Sequence, residues 1–190
     1  KEKILAELAF KMRLKLARAI DYDQAVAIVD QSIEKLREKI GAITFLDQVL
    51  DNRILVRDSE KQLSFFHELV LEYYTALKLQ GLYYFDPEKA LEFSIQPEWY
   101  ESVIILSGIL KNPDDLVDRL SLTNIILAAR CIASGSKISE QTSSSVFREC
   151  QKRLLNENTN ELETITALLE LSSNDSFRLV VKHLAMRKHS

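Results

Sequence analysis

The sequence predicts an all-α protein that carries one small β-hairpin. Only four glycines and three prolines occur among the 190 residues, while leucine, isoleucine, alanine, glutamate and lysine dominate. This composition favours helices joined by short connections. Apolar residues also recur at helical spacing along most of the chain. Between residues 54 and 65 the pattern changes to two short runs that favour strands.

Two amphipathic helices come first. Their apolar stripes lie within residues 2–18 and 23–40. Asp21 or Asp23 can cap the second helix by accepting backbone N–H bonds. Gly41 is placed to end that helix in a left-handed conformation.

A third helix and the hairpin follow. Residues 42–52 have a helical apolar face, and the runs Ile54–Arg57 and Gln62–Phe65 are separated by four polar residues, as in a hairpin. The next helix is predicted over residues 68–80. Three helices followed by a hairpin are the order of a winged helix, so residues 1–80 are predicted to form a winged-helix region.

Residues 81–190 are predicted to form a helical region, either a HEAT-like array or an irregular stack. Pro87, Pro97 and Pro113 each follow a residue that can cap or end a helix, and Asn160 precedes a glutamate by three residues. No exact internal repeat occurs. The expected helices lie near residues 87–94, 97–110, 113–120, 122–134, 140–156, 160–172 and 175–187.

One motif stands where the hairpin meets the next helix, in the stretch Ser64-Phe65-Phe66-His67-Glu68-Leu69-Val70-Leu71-Glu72-Tyr73-Tyr74-Thr75-Ala76. Its pattern, F-x-H-x-x-x-x-E-Y-x-x-A, resembles the motif that closes the winged-helix region of NACHT-type signal-transduction ATPases, the STAND class. The matching residues are Phe65, His67, Glu72, Tyr73 and Ala76. Leu71 stands where the family commonly has glutamine. The resemblance covers roughly the first two-thirds of the chain.

The resemblance implies a non-catalytic regulatory and signal-transmitting segment, which clamps the nucleotide-binding domain in the resting state and couples it to a sensor or effector region. In that family the motif histidine contacts a phosphate of ADP held by the neighbouring nucleotide-binding domain, and this contact keeps the resting state closed. His67 is therefore the candidate for a cofactor contact, and the parent protein's cofactor is ATP or ADP with magnesium. The alternative for His67 is that it caps the following helix or packs at the wing.

The remaining motif residues are expected to be structural. Glu72 is expected to serve helix packing, and Tyr73 and Ala76 to belong to the core. Phe65, Tyr73 and Leu77 are predicted to be largely buried. The interior face of this helix is predicted to hold either Leu69, Tyr73, Ala76 and Leu77 or Val70 and Tyr74.

The chain itself is expected to be neither an enzyme nor a cofactor-binding protein. It contains no phosphate-binding loop of the form G-x-x-x-x-G-K-[ST]. Lys1 already lies within a helical pattern, which suggests a segment of a longer protein whose nucleotide-binding domain precedes it. That domain is the main expected partner, and the helical region offers a surface for a homo-oligomer or another protein.

Metal and thiol chemistry are not expected either. His67-Glu68 lacks the second histidine of an H-E-x-x-H zinc motif. Cys131 and Cys150 have no further ligand at zinc spacing, so they are expected to be buried free thiols of a reducing cytoplasm.

Charge and hydropathy argue against nucleic acid and membranes as partners. The formal net charge is −3. The third helix carries Asp47 and Asp51 and no basic residue, so it would repel DNA phosphates. No apolar run reaches the length of a membrane span and the first residues lack the layout of a signal peptide, so a cytoplasmic location is expected. The basic residues Lys11, Arg13, Lys15 and Arg18 are expected to form a solvated face.

A second interpretation belongs to a different class of protein. The chain would then be a free-standing winged-helix and helical-repeat adaptor or transcription regulator that acts without nucleotide control. A phosphate-loop ATPase encoded upstream of Lys1 would favour the regulatory segment, and its absence would remove that interpretation.

Overall fold

The computed structural model describes residues 1–155, 160–171 and 174–187. The chain is mostly helical and has one small antiparallel sheet. It divides into two units, Lys1–Pro87 and Glu88–Ser190. The elements of the first unit are α1 (Glu2–Leu14), β1 (Ala19–Asp21), α2 (Tyr22–Leu36), α3 (Ala42–Asp51), β2 (Leu55–Arg57), β3 (Gln62–Phe65) and α4 (Glu68–Phe85).

The sheet of the first unit has three strands in the order β1-β3-β2. β2 and β3 form the predicted hairpin, with Leu55 opposite Phe65. β1 is an additional strand that no local pattern predicts, and it pairs antiparallel with β3 so that Ala19 lies opposite Ser64. Because β1 follows α1 and β3 precedes α4, this pairing brings the end of α1 close to the beginning of α4.

One apolar core fills the first unit. It takes side chains from α1, α2, α3, all three strands and the first turns of α4. Its most deeply buried large side chains are Ile4, Leu8, Met12, Phe45, Leu46, Leu55 and Leu63. α1 packs along both α2 and α4, so α4 is held against the same core that supports the sheet.

The ends of α2 differ in part from the prediction. Of the two candidate aspartates, Asp21 is the cap, and its Oδ1 accepts the N–H of Asp23 at 2.9 Å. The helix ends at Leu36 because Arg37 adopts the left-handed conformation, with φ 55°. Gly41 has an extended backbone, with φ −79°, and precedes α3 as its N-cap. The prediction that Gly41 ends α2 is therefore wrong.

The second unit is a stack of helices in which α8 packs against four others, α6, α7, α9 and α10. Asn124 starts α8 by accepting the Leu127 N–H at 3.1 Å, and Asn160 starts α10 by accepting the Glu163 N–H at 3.2 Å. The helices are α5 (Pro87–Leu91), α6 (Tyr100–Ile109), α7 (Asp114–Thr123), α8 (Ile125–Ala133), α9 (Glu140–Leu155), α10 (Glu161–Glu170) and α11 (Asn174–Arg187), with short 3₁₀ helices at Glu92–Ile95 and Pro97–Trp99.

The two cysteines are buried free thiols, as predicted. Burial raises the pKa of Cys131 to about 12, although a hydrogen bond with Ser107 lowers it in part. Burial also raises the pKa of Cys150 to about 11. Both groups are therefore protonated near neutral pH, and a protonated thiol is a poor nucleophile.

Both thiols should consequently react only when the chain unfolds. With iodoacetamide at about pH 8, labelling of Cys131 and Cys150 should follow the unfolded fraction in a denaturant series. Because the folded pKa values are raised, the stability contribution is complete below the ordinary value near 9 and is lost as the pH rises toward about 12. The melting temperature should fall over that interval, and less so in Cys131→Ala. Rapid labelling of the native protein would contradict this account.

Candidate functional site

The motif that carries the family resemblance lies at the junction of β3 and α4. Phe65 ends β3 and is 7% exposed, so its ring belongs to the core. The Phe66 N–H donates to the Ile54 carbonyl at 3.1 Å, which anchors the junction beside β2. The rings of Phe66 and His67 are exposed, and their centroids lie 6.2 Å apart. The junction thus combines a fixed backbone with two accessible rings.

His67 is the N-cap of α4. Its backbone is extended, with φ −146° and ψ 143°, and its Nδ1 accepts the Leu69 N–H at 3.1 Å. A ring nitrogen that accepts a hydrogen bond carries no proton, so the neutral imidazole carries its proton on Nε2. The capping bond uses only one ring nitrogen. The exposed ring therefore retains one N–H donor, at Nε2, that the cap does not use.

Glu72 lies on the interior side of α4 and forms an ion pair with Arg13 of α1. The side chains of Arg13 and Glu72 are only 11% and 5% exposed. Arg13 was expected on a solvated face, and that prediction is wrong. Arg13 follows Ala9 by four residues, and Ala9 is fully buried, so helical spacing places Arg13 next to the apolar stripe.

Tyr73 is 39% exposed, so the prediction that it is largely buried is wrong. Successive helical residues are about 100° apart, and the inward position of Glu72 turns Tyr73 away from the interior. Leu69 is also exposed, at 57%, which excludes the first predicted interior face. The buried residues of α4 are Leu71, Glu72, Thr75, Ala76, Leu79 and Tyr83.

Val70 and Tyr74, the second predicted face, are partly buried against the core. The ring centroids of Tyr74 and Phe65 lie 5.8 Å apart. Burial, with Glu2 and Tyr73 nearby, raises the pKa of Tyr74. Leu77 is partly buried and Ala76 is fully buried, so the apolar residues of the motif hold α4 on the core.

Three ion pairs join α4 to α1 and to the link that follows α1. They are Lys78–Glu7 at 2.6 Å, Arg13–Glu72, and Arg18–Glu68 at 3.5 Å. The residue numbers rise along α1 as they fall along α4, so the two helices are antiparallel. The third pair is exposed, and Glu68 directly follows His67. Sequence patterns did not identify Arg18 as a partner of Glu68, because the contact depends on the unpredicted strand β1.

The junction offers one hydrogen-bond donor on an exposed ring, the Nε2–H of His67. Within the described residues, no group of three or more histidine, cysteine, aspartate or glutamate side chains is placed to hold a metal ion. In the same part of the chain, no helix is both long and apolar enough to cross a bilayer. Comparison with protein-family models, curated proteins and solved structures yields no match.

Proposed function

We propose that this chain is the winged-helix and helical-stack region of a STAND-type NTPase, in which His67 stabilises the resting state. The Nε2–H of His67 would donate a hydrogen bond to a phosphate of ADP bound by the nucleotide-binding domain of the same cytoplasmic protein. The observation that carries this proposal is the His67 cap. Its Nδ1 is engaged by the Leu69 N–H at 3.1 Å, which leaves the exposed Nε2–H as the donor.

The element order of the first unit supports the winged-helix part of the proposal. The chain runs α1, β1, α2, α3, β2, β3, and β1 pairs with the second strand of the hairpin. A winged helix has this order, with the short first strand closing the sheet beside the wing. In the second unit, α8 contacts the helices one and two places before and after it in the chain, α6, α7, α9 and α10. This pattern is compatible with the helical-repeat part of the proposal, because each repeat of such an array contacts its neighbours.

The capped geometry suits a phosphate contact in two ways. The bond to Leu69 fixes both the tautomer and the ring orientation, so little rotational freedom is lost when Nε2 meets its acceptor. A phosphate oxygen is charged, and a hydrogen bond to a charged group contributes about 1.5 to 3 kcal/mol. Magnesium and the rest of the nucleotide would be held by the nucleotide-binding domain, so the role of this chain is to favour the closed state.

The test separates the cap from the phosphate contact in the intact protein. His67→Ser keeps a good helix cap but removes the distant donor. His67→Gln weakens the cap but carries an amide N–H on a side chain long enough to replace Nε2 in part. Release of a fluorescent ADP analogue should be roughly 10- to 100-fold faster in His67→Ser and closer to wild type in His67→Gln. Wild-type release from His67→Ser would leave His67 with the capping role alone.

The charge of α3 argues against the transcription-regulator interpretation. Asp47 and Asp51 are exposed on this helix, and no basic residue lies within it. A helix that enters the major groove needs lysine or arginine to offset the phosphate charge. A phosphate-loop ATPase in the same polypeptide would separate the regulatory segment from a free-standing adaptor.

A further inference from the structure

We propose that Arg18 is a second phosphate-binding residue, acting beside His67. This inference rests on the proposed function, and it identifies a further residue of the same site. Arg18 lies in the link between α1 and β1, and its guanidinium Nη2 is 3.5 Å from Oε1 of Glu68. Glu68 is the residue next to His67. The guanidinium and the imidazole donor therefore lie at the same end of the first unit.

The strand register places the backbone of Arg18 in this position independently of its side-chain contact. Ala19 lies opposite Ser64 in the antiparallel pair of β1 and β3. Arg18 precedes Ala19 by one residue, so it stands beside the end of β3, where the chain continues through Phe66 to His67. The ladder and the ion pair thus give the same location for Arg18. In the proposed closed state, the guanidinium turns from Glu68 toward an acceptor bound at His67.

The present ion pair can be exchanged for a phosphate. The side chains of Arg18 and Glu68 are 84% and 51% exposed. Ion pairs this exposed contribute little to stability, because water screens them and both side chains lose freedom. A guanidinium offers a planar pair of donors that matches phosphate, and a diphosphate carries more negative charge than one carboxylate. Arg18 would therefore transfer from Glu68 to the nucleotide when the domains close.

Glu68 should then oppose nucleotide retention, which Arg18 favours. Its carboxylate competes with the phosphate for Arg18. It also places a negative charge on the residue next to His67, where the phosphate would bind. Both effects oppose nucleotide retention. Removing the charge of Glu68 should consequently strengthen the hold on ADP, whereas removing Arg18 should weaken it. A purely structural ion pair makes a different prediction, because loss of either partner breaks the same pair and shifts retention in the same direction.

The experiment compares three single variants of the intact protein, with a fluorescent ADP analogue as the probe. Arg18→Gln should release the probe about tenfold faster, Arg18→Lys should be intermediate, and Glu68→Gln should release it more slowly than wild type. The matched control is Lys78→Gln, which removes the 2.6 Å pair with Glu7 farther along the same two helices. That control should leave release unchanged.

Each remaining outcome overturns the proposal. If Arg18→Gln and Glu68→Gln shift release in the same direction, the pair is structural. If His67→Ser accelerates release and Arg18→Gln does not, Arg18 has no role at the phosphate, and the proposed function of His67 survives. If neither variant changes release, both the role of Arg18 and the proposed function fail. Melting temperatures of the Arg18 and Glu68 variants should stay close to wild type, because the side chains of this pair are 84% and 51% exposed.

Discussion

Glu72→Ala should lower the free energy of unfolding of the first unit by about 3 to 5 kcal/mol. The substitution removes a buried carboxylate from its ion pair with Arg13, whose side chain is only 11% exposed. A guanidinium does not lose its proton in proteins, so Arg13 cannot become neutral to reduce the cost of burial. The loss therefore reflects a buried charge left without its carboxylate as well as the lost interaction itself.

Hydrogen exchange of the α1 and α4 amides is the appropriate measurement, because it follows the first unit alone. Arg13→Ala should also be destabilising, because it leaves the Glu72 carboxylate buried without the guanidinium. The double variant Arg13→Met with Glu72→Leu should recover most of the loss, since apolar replacements of a buried pair are often neutral or better. The exposed pair of Arg18 and Glu68 provides the control. Arg18→Ala should lower the free energy of unfolding by at most about 1 kcal/mol. A similarly small loss in Glu72→Ala would contradict the buried ion pair.

Trp99→Ala should lower the free energy of unfolding of the second unit by about 3 to 5 kcal/mol. Trp99 is 1% exposed, and its ring centroid lies 4.3 Å from that of Phe93. Truncation would leave a cavity beside Phe93 and remove the contact between the two rings. Trp99→Phe fills part of that space and should cost less than Trp99→Ala.

Urea unfolding followed by circular dichroism measures this effect without relying on tryptophan fluorescence, since Trp99 is the only tryptophan in the chain. Ile95→Ala is the control, because Ile95 is a nearby apolar residue that is 72% exposed. It should change stability by no more than about 0.5 kcal/mol. Equal losses in Trp99→Ala and Ile95→Ala would show that Trp99 does not anchor the helical stack.

Local patterns predicted the helices and the hairpin because these features depend on spacing within about twenty residues. They did not predict β1, because Ala19–Asp21 has three residues and becomes a strand only by pairing with residues 62–64. They also misplaced the end of α2, where Arg37 adopts a left-handed conformation at a position more often occupied by glycine. Both errors concern residues whose conformation depends on distant partners or on backbone strain.

At the candidate site, too, local features were predicted and contacts with distant residues were not. The motif placed His67 correctly between a strand and a helix, and the cap follows from that position. Hydropathy could not indicate that Glu72 points inward and Tyr73 outward, because the burial of Glu72 depends on Arg13, 59 positions earlier in the chain. For the same reason, the contact between Arg18 and Glu68 becomes visible only once β1 is paired with β3.

The most direct test of the central claim is the distance between His67 Nε2 and the nearest phosphate oxygen in a structure of the intact, ADP-bound protein. We expect about 2.7 to 3.2 Å, the range of an N–H···O hydrogen bond. The bond between His67 Nδ1 and the Leu69 N–H, 3.1 Å in the present structure, should remain in place. An imidazole that still caps α4 but has no phosphate within hydrogen-bonding distance of Nε2 would contradict the proposed function.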